Sequence, residues 1–242
     1  MMKKIFRFLY AVWNWAMLAV ATLIVFILIV LLSPFDREQK LTYHIANFWG
    51  KFLIAINPAW DIRVTQAHHI KKNKGYVLVA NHTSLADIVL LYSLGKHFKW
   101  VAKSSLFKIP FFGWTMSLLN YIPLKRGKHG SVRDSFKECQ MWLEKNISVL
   151  LFPEGTRSAS GKLGAFKNGS FKLAILTQKP IIPIVIKWAQ KAIKKGEKTL
   201  NLEVQADVKV LAEIPTKGLA ENDFEELKHR IWNLMNQELT TT

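Results

Sequence analysis

A histidine and an aspartate stand directly after one of the apolar runs of this sequence. The run 76–80 (Tyr-Val-Leu-Val-Ala) is typical of a buried strand, and His82 follows it after one asparagine. A strand that ends in this way places the imidazole at the carboxyl edge of a sheet, where α/β proteins hold their active sites. If a helix begins near Ser84, Asp87 lies in its first turn and can reach back to His82. That contact would fix the tautomer of the imidazole and leave its other nitrogen as a base.

The same residues also have a purely structural interpretation. Ser84 and Asp87 have the spacing of a capping box, in which both side chains bond to backbone N–H groups at a helix start. A histidine five residues before an aspartate is also a common spacing in a chain with seven histidines. The pair alone therefore leaves both interpretations open.

A second group of polar residues follows the predicted strand 148–152. The segment 152–158 (Phe-Pro-Glu-Gly-Thr-Arg-Ser) combines a proline that ends a strand, a glycine that permits close approach and three donor side chains. Arg157 in this segment, Lys167 in a later turn before a helix, and Arg126 after another strand are cations at strand or turn ends. Each could be a solvated surface charge, but together, beside a histidine at a strand end, they predict a phosphorylated substrate.

The N-terminal part of the chain has no charged residue between Arg7 and Asp36. As a helix, these 28 residues would be about 42 Å long, against a hydrocarbon core of about 30 Å. Trp13 and Trp15 lie near one end, which suits the headgroup region. The segment 31–35 lacks the small residues of a signal-peptide cleavage site. We therefore expect membrane insertion rather than a cleaved signal peptide or a buried core helix.

The apolar stretch 41–60 is interrupted by Lys51 and is too short on either side to span a bilayer, so it suits a helix in the interface. Basic residues flank both ends of the long apolar segment, so the positive-inside rule does not assign an orientation to it. A helical hairpin that dips into one leaflet keeps both flanks on the cytosolic side, and we prefer it to a full span. Glycosylation of the sequon at Asn81 would cap His82, which favours a cytosolic site.

From Asp61 onward, short β-branched runs alternate with helical stretches, which predicts an α/β domain whose sheet is covered by helices. The predicted strands are 62–65, 76–80, 99–101, 121–124, 148–152, 181–186 and 200–205. The predicted helices are 84–94, 131–145, 169–178 and 221–239. The helix 131–145 carries an apolar stripe at the period of a core-facing helix, formed by Val132, Phe136, Cys139, Trp142 and Leu143.

The composition narrows the class of protein. Lys and Arg total 34 against 17 Asp and Glu, a net charge of +17, yet 50% of the residues are hydrophobic. Intrinsic disorder is excluded, and the combination indicates a membrane surface and an anionic partner. The single cysteine, Cys139, excludes a disulfide framework and a zinc ribbon. No Gly-x-Ser-x-Gly segment is present for a serine hydrolase, and the histidines lack metal-ligand spacing, so no metal site is expected.

Several blocks together resemble the glycerolipid acyltransferases, specifically the bacterial 1-acylglycerol-3-phosphate (lysophosphatidic acid) type. The blocks are His82-x4-Asp87, 102–106, 109–114, 152–158 and 182–185, within a similarity that runs from about Tyr76 to Ile186. The resemblance implies a mixed α/β sheet with helical cover, preceded by a membrane-embedded helical segment. It divides the chain into hydrophobic anchoring helices at 1–60 and a catalytic domain at 61–242.

The resemblance also implies roles for residues. The motif histidine, His82, is the general base, and Asp87 orients it. Acceptor binding is assigned to Lys103, Arg126, Glu154, Gly155 and Arg157, and we add Thr156 and Lys167 from their position in the turns. Pro183 matches a motif associated with the acyl donor or with packing. Asn120 and Lys125 depart from the family pattern, in which a glycine and an acidic residue are common.

We therefore expect an acyltransferase that forms phosphatidic acid from lysophosphatidic acid and an acyl thioester, either acyl-CoA or acyl carrier protein. We expect it at the cytoplasmic face of the cell (inner) membrane, in contact with phospholipids and without a metal or other cofactor. A different acceptor is the first alternative: a lyso-ornithine lipid, another lysophospholipid or glycerol 3-phosphate. The second alternative is a membrane-anchored nucleic-acid-binding protein. Because the basic residues are dispersed and no such binding motif appears, we expect no nucleic-acid partner.

Overall fold

The computed structural model of the protein describes residues 2–36, 39–125, 127–193 and 200–241, without the side chains of residues 2–4 and 129. The α-helices are α1 Met2–Leu32, α2 Lys40–Ala55, α3 Ala86–Tyr92, α4 Phe112–Leu118, α5 His129–Glu144, α6 Gly169–Thr177 and α7 Phe224–Thr240. The strands are β1 Trp60–Thr65, β2 Val77–Ala80, β3 Phe98–Lys103, β4 Ile122–Leu124, β5 Ser148–Leu151, β6 Ile181–Lys187 and β7 Val204–Val210. Short 3-10 helices lie at Ala67–His69, Ser104–Lys108, Ala189–Lys191 and Glu221–Asp223.

In the described part of the chain, the seven strands form one sheet in the order β1-β7-β6-β2-β5-β3-β4. The five strands from β6 to β4 run parallel to their neighbours, whereas β7 is antiparallel to β6 and pairs in parallel with β1. The sheet is therefore mixed, as the resemblance implies. The carboxyl ends of the five parallel strands share one edge, and the chain leaves β2, β3, β4 and β5 there.

The sheet separates two hydrophobic clusters. Leu78 and Ala80 of β2 belong to the cluster that α1, α2, α3 and α4 cover, whereas Val77 and Val79 belong to the cluster covered by α5, α6 and α7. Successive side chains of a strand point to opposite faces, so a strand with helices on both sides is apolar throughout. This explains why all four residues of β2 are buried.

The predicted elements correspond to the observed ones, with two differences. The last strand was predicted at 200–205 but runs from Val204 to Val210, where buried and more exposed residues alternate. Helix α4, which has seven residues, was not predicted. On α5, Cys139, Trp142 and Leu143 are buried as predicted, but Val132 is exposed.

Helix α1 has one packed stripe and a wide exposed apolar surface. The packed stripe consists of Ala11, Asn14, Ala21, Thr22, Val25 and Ile29. The segment Ile5–Leu32 is long and apolar enough to cross a membrane, and only 22% of its most apolar window is buried. Most of its apolar side chains are exposed, which is typical of a helix that contacts a membrane rather than of a core helix.

Strand β1 begins at Trp60, next to the predicted division between 1–60 and 61–242. The hydrophobic cluster nevertheless crosses this division, since Val25 of α1 and Trp49 of α2 belong to the same cluster as Leu78. The division into an anchor and a catalytic domain stays a prediction.

Candidate active site

The imidazole of His82 lies at the carboxyl edge of the sheet, two residues beyond the end of β2. Its Nδ1 is 2.7 Å from Oδ2 of Asp87, which stands in the first turn of α3. The His82 ring stacks on the ring of Phe152, with centroids 4.1 Å apart and an angle of 20° between the planes. The short turn and the helix that follows it therefore bring the predicted pair into contact.

Asp87 is fully buried, and its carboxylate has several hydrogen-bond donors. Oδ2 accepts backbone N–H bonds from Thr83 at 2.7 Å and from Ser84 at 2.9 Å, in addition to the bond from His82. The Ser84 hydroxyl accepts the N–H of Ala86 at 3.2 Å and donates to the carbonyl of Ile193 at 3.1 Å, so Ser84 and Asp87 also cap the start of the helix. One carboxylate thus both stabilises the turn and holds the imidazole.

This contact assigns the tautomer of His82. The Asp87 carboxylate accepts a hydrogen bond from Nδ1–H, which leaves Nε2 as the ring nitrogen that can act as a base. The side chain of His82 is 19% exposed and lines a cavity of about 900 Å³. The geometry therefore permits general-base chemistry on a group bound in this cavity.

Glu154 joins the two strand ends of the site. Its Oε1 accepts the backbone N–H of His82 at 2.8 Å, and its Oε2 accepts that of Gly164 at 2.9 Å. The N–H of Ser158 donates to the carbonyl of His82 at 2.8 Å, which fixes the same turn from the other side. Burial raises the pKa of the Glu154 carboxyl, and the two backbone bonds oppose that rise. Both oxygens of Glu154 are thus directed at the backbone.

Gly155 and Lys167 form one corner of the cavity. Gly155 has a φ of +67°, a left-handed conformation that favours glycine. A Cβ atom at this position would lie 3.0 Å from Cε and 3.1 Å from Nζ of Lys167. The absence of a side chain at residue 155 therefore gives the ammonium group of Lys167 room to lie across the turn.

The remaining predicted binding residues take different positions. Lys103, at the end of β3, lines the same cavity as His82, Gly155 and Lys167. On the 152–158 turn, Thr156 is exposed and Arg157 is half-buried, and neither lies among the described residues that line the cavity. Arg126 lies outside the described residues.

The rest of the cavity wall is mainly apolar and comes from elements outside the predicted motifs. Helix α1 contributes Trp15 and Leu18, and α2 contributes Trp49 and Leu53. The site thus combines a cationic corner, a histidine and a long apolar wall. This arrangement suits a substrate with an anionic group and a hydrocarbon chain.

Other reactive groups do not join the site. Cys139 is buried on α5, and burial raises the pKa of its thiol to about 12, so it is not a thiolate nucleophile. Within the ranges that the structure describes, no group of three or more His, Cys, Asp or Glu side chains lies close enough to hold a metal ion.

Comparison with known proteins identifies the family. The family model described as Acyltransferase matches residues 61–187, which is more than half of the chain. The chain belongs to the acyltransferase family. This match confirms the resemblance seen in the His82-x4-Asp87 and 152–158 blocks, and the family region contains every predicted site residue.

Named acyltransferases are similar in sequence over much of the chain. A chloroplast 1-acyl-sn-glycerol-3-phosphate acyltransferase of Arabidopsis thaliana is 38% identical over 78% of this chain and 52% of its own length. A second chloroplast enzyme of that name, from Brassica napus, is 35% identical over 90% of this chain and 64% of its own length. The chain thus spans between half and two thirds of these two relatives.

A solved acyltransferase structure has the same fold over nearly the whole chain. The crystal structure of the 1-acyl-sn-glycerophosphate (LPA) acyltransferase from Thermotoga maritima is similar with a TM-score of 0.85 and 25% sequence identity. The similarity covers 98% of this chain and 95% of that one, so it includes the two N-terminal helices. The predicted fold class is confirmed.

Two parts of the site were not predicted from sequence. Phe152 stacks on His82, and α1 supplies part of the cavity wall. The sequence gives only an indirect indication of the contact between Phe152 and His82. Both motifs follow predicted buried strands, but the contact requires β2 and β5 to be neighbours, as the pairing of Val79 with Leu151 shows. The spacing of residues along the chain predicts neither the order of the strands in the sheet nor the packing of α1 against the domain.

Proposed function

We propose that this acyltransferase moves a fatty acyl group from an acyl thioester to the free sn-2 hydroxyl of lysophosphatidic acid, forming phosphatidic acid. One observation carries the proposal. The imidazole of His82, held by Asp87, lines a single cavity together with Lys103, Lys167 and an apolar wall. The names of the relatives from Arabidopsis thaliana and Brassica napus, both 1-acyl-sn-glycerol-3-phosphate acyltransferases, support the same acceptor.

The chemistry uses His82 twice. Nε2 takes the proton of the acceptor hydroxyl while that oxygen attacks the thioester carbonyl and forms the new C–O bond. The C–S bond then breaks, and the thiolate leaves with the proton returned by His82. Asp87 holds Nδ1 and stabilises the imidazolium between the two steps. Direct attack by the acceptor uses neither an acyl-enzyme nor a metal ion, so we propose no cofactor.

The cationic corner positions the acceptor. Lys103 and Lys167 are the described cations on the cavity wall, and a phosphate between them would gain charge-assisted hydrogen bonds. The carboxylate of Glu154 would repel a phosphate, and both its oxygens already accept backbone N–H bonds. We therefore assign Glu154 as a positioning residue that acts through the backbone of His82, rather than as a ligand of the phosphate.

The packing of α1 supports attachment to one leaflet. Arg7 donates to Oδ1 of Asn201 at 2.8 Å, and the ring of Phe26 lies 5.6 Å from that of Phe111. Between these contacts the helix covers about 29 Å, nearly the thickness of the hydrocarbon core. Crossing the bilayer would draw the catalytic domain in with α1, so we propose the monotopic arrangement, at the cytoplasmic face of the cell membrane.

A matrix of donors and acceptors tests the proposal. The purified full-length chain in mixed micelles receives labelled acyl-CoA or acyl carrier protein, with lysophosphatidic acid, another lysophospholipid, a lyso-ornithine lipid or glycerol 3-phosphate. We expect transfer to lysophosphatidic acid to exceed transfer to every other acceptor with at least one donor. His82→Ala serves as the inactive control, and His68→Ala, at an exposed histidine, as the matched active one. Preference for a phosphate-free acceptor, or no transfer with either donor, would overturn the proposal.

A further inference from the structure

An exposed apolar segment lies on the catalytic domain, at the end of the 3-10 helix that follows β3. Ile109, Phe111 and Trp114 are 44%, 41% and 48% exposed. Large apolar side chains that are exposed in contiguous groups mark contact surfaces. The segment 109–114, named the aromatic ledge below, is therefore a surface that needs a partner.

The backbone of the aromatic ledge is strained at Phe111. Phe111 has φ 59° and ψ −57°, and the N–H of Phe112 donates to the carbonyl of Pro110 at 2.6 Å. This is a γ-turn with a positive φ at a bulky residue, a conformation that is rare and strained. Gly113 fits tightly below it, since a Cβ there would lie 2.4 Å from the backbone of Phe107.

The aromatic ledge is continuous with the exposed apolar surface of α1. The ring of Phe26 lies 5.6 Å from the ring of Phe111 and 5.8 Å from that of Trp114, and these two rings are 5.2 Å apart. On either side of Phe26, α1 exposes large apolar side chains at Leu23, Ile24, Ile27, Leu28, Val30 and Leu31. One apolar surface therefore extends from the helix onto the catalytic domain.

This surface meets the cavity that contains His82. Ile109 and Phe111 of the ledge and Trp15 and Leu18 of α1 line the cavity wall. The exposed apolar surface and the apolar wall of the cavity are therefore continuous at Ile109 and Phe111.

The charges around the ledge indicate an anionic partner. From Ile88 to Arg133 the sequence has no Asp or Glu and eight Lys or Arg, of which Lys99 is buried. Lys103 and Lys108 stand just before the ledge, and both are exposed. Cations beside an apolar surface complement the phosphates and acyl chains of an anionic bilayer leaflet.

We propose that the aromatic ledge inserts into an anionic bilayer leaflet beside α1 and forms one side of a lateral entrance, through which the lipid acceptor passes from the bilayer to His82. The ledge is then a second membrane contact, made by the catalytic domain itself. The inference rests on the proposed function, since it requires an acceptor that is dissolved in the membrane.

Trp114 provides the kinetic test, because it belongs to the ledge but does not line the cavity. Trp114→Ser is compared with Trp114→Phe and with Leu176→Ser, a residue that is 61% exposed on α6 at the opposite face of the sheet. With long-chain lysophosphatidic acid in phosphatidylglycerol-containing vesicles, we expect kcat/KM to fall about fivefold or more in Trp114→Ser only. With a water-soluble short-chain lysophosphatidic acid, all four proteins should agree within about twofold.

An equal loss with both acceptors would mean that Trp114 only stabilises the fold, and no loss with either would mean that the ledge carries no acceptor. Both results overturn the inference. Failure of the unmodified protein to acylate either acceptor would instead overturn the proposed function.

A fluorescence measurement that requires no acyl transfer tests the bilayer contact of the ledge separately from the proposed function. Trp114→Cys and Leu176→Cys are labelled with a fluorophore, which is selective because the native Cys139 is buried. Nitroxide lipids in phosphatidylglycerol-containing vesicles should quench the label at position 114 and leave that at position 176 unchanged. Absence of quenching at 114, or its protection by a second copy of the chain in detergent, would contradict the proposed bilayer contact.

Discussion

Two buried polar clusters on the same sheet differ in the hydrogen bonds that their charged side chains make. In the carboxylate cluster, Asp87 and Glu154 surround His82, and four backbone N–H groups donate to their oxygens. In the lysine cluster, Lys99 is 1% exposed, and its Nζ donates to Oε1 of Gln39 and, at 2.7 Å, to the carbonyl of Leu119. The first cluster holds anions with rigid backbone donors, whereas the second holds a cation that has lost most of its solvation.

The titration behaviour of the lysine cluster follows from this difference. Burial lowers the pKa of Lys99 to about 7, an effect that nearby Asp36 opposes. Burial also lowers the pKa of His97 to about 3, and its Nε2 has no hydrogen-bond partner among the described residues. Neither Lys99 nor His97 lines the 900 Å³ cavity. Among the described residues, the bases with the most strongly shifted pKa thus lie away from the candidate active site, so pKa shifts alone would point to the wrong place.

The lysine cluster instead joins elements. Gln39 precedes α2, and its Nε2 donates to the carbonyl of Leu118 at the end of α4. The ammonium of Lys99 also lies 4.6 Å from the ring centroid of Trp142 on α5. We conclude that Lys99 fastens the connection between α1 and α2 to the sheet. The role that we propose for His82 is instead catalytic.

Outside the His82–Asp87 pair itself, the largest effect is expected where the carboxylate cluster loses a backbone hydrogen bond. Glu154→Gln replaces one acceptor oxygen by an NH2 group that faces an N–H donor, at a cost of about 3 kcal/mol. If Glu154 positions His82, kcat should fall about 100-fold while the KM for lysophosphatidic acid stays within about twofold. Steady-state kinetics in mixed micelles measures both parameters.

Glu226→Gln, at an exposed position on α7, is the matched control and should leave both parameters unchanged. A rise in KM with an unchanged kcat would instead give Glu154 the acceptor-binding role that the family resemblance implies.

The next largest effect is expected on the free energy of unfolding, through Lys99 of the lysine cluster. The pKa of Lys99 is about 7 in the folded protein against 10.5 for the free side chain. Between these values the unfolded chain binds the proton and the folded chain does not, so the free energy of unfolding rises with pH. Lys99→Met lacks this dependence. The wild type should therefore gain about 2 kcal/mol relative to Lys99→Met between pH 7 and pH 9.

Denaturant unfolding in one detergent, at both pH values, measures this difference. Lys145→Met is the matched control, because the Lys145 ammonium lies 5.0 Å from the same Trp142 ring but is exposed. If the difference in free energy of unfolding between wild type and Lys99→Met is the same at both pH values, Lys99 keeps its proton when buried.

The smallest effect is expected at Lys167, which lines the same cavity as His82. Lys167→Met removes one of the cations that we assign to the acceptor phosphate, and loss of one exposed charge-assisted bond is worth about 1.4 kcal/mol. The KM for lysophosphatidic acid should rise about tenfold with kcat within about threefold. Lys172→Met, five residues further along on α6, should change neither. A fall in kcat without a change in KM would remove Lys167 from acceptor binding.

The sequence predicted the parts of the site that depend on short spacings. His82 and Asp87 are five residues apart and follow a strand that its apolar run identifies, so their contact could be foreseen. The bond from His82 to Glu154 joins residues 72 positions apart. It depends on the adjacency of β2 and β5, which no local pattern states.

Lys99 shows the limit of such prediction most clearly. In the sequence it is one lysine in a predicted strand, and its partners Gln39, Leu119 and Trp142 come from three other parts of the chain. Burial of this kind is a property of tertiary packing rather than of residue type. The last strand, Val204–Val210, differs in this respect, because its apolar and polar residues alternate in the pattern of a half-buried strand that the sequence itself displays.

A double-mutant cycle on His82 and Asp87 tests the mechanism most directly. Acyl transfer from labelled thioester to lysophosphatidic acid is measured for His82→Ala, Asp87→Asn and the double variant. Because Asp87 acts through the imidazole, each single change should lower kcat about 1,000-fold or more, and the double variant should be no slower than His82→Ala. Retention of more than about a tenth of the activity in His82→Ala, or multiplicative losses in the double variant, would contradict the account.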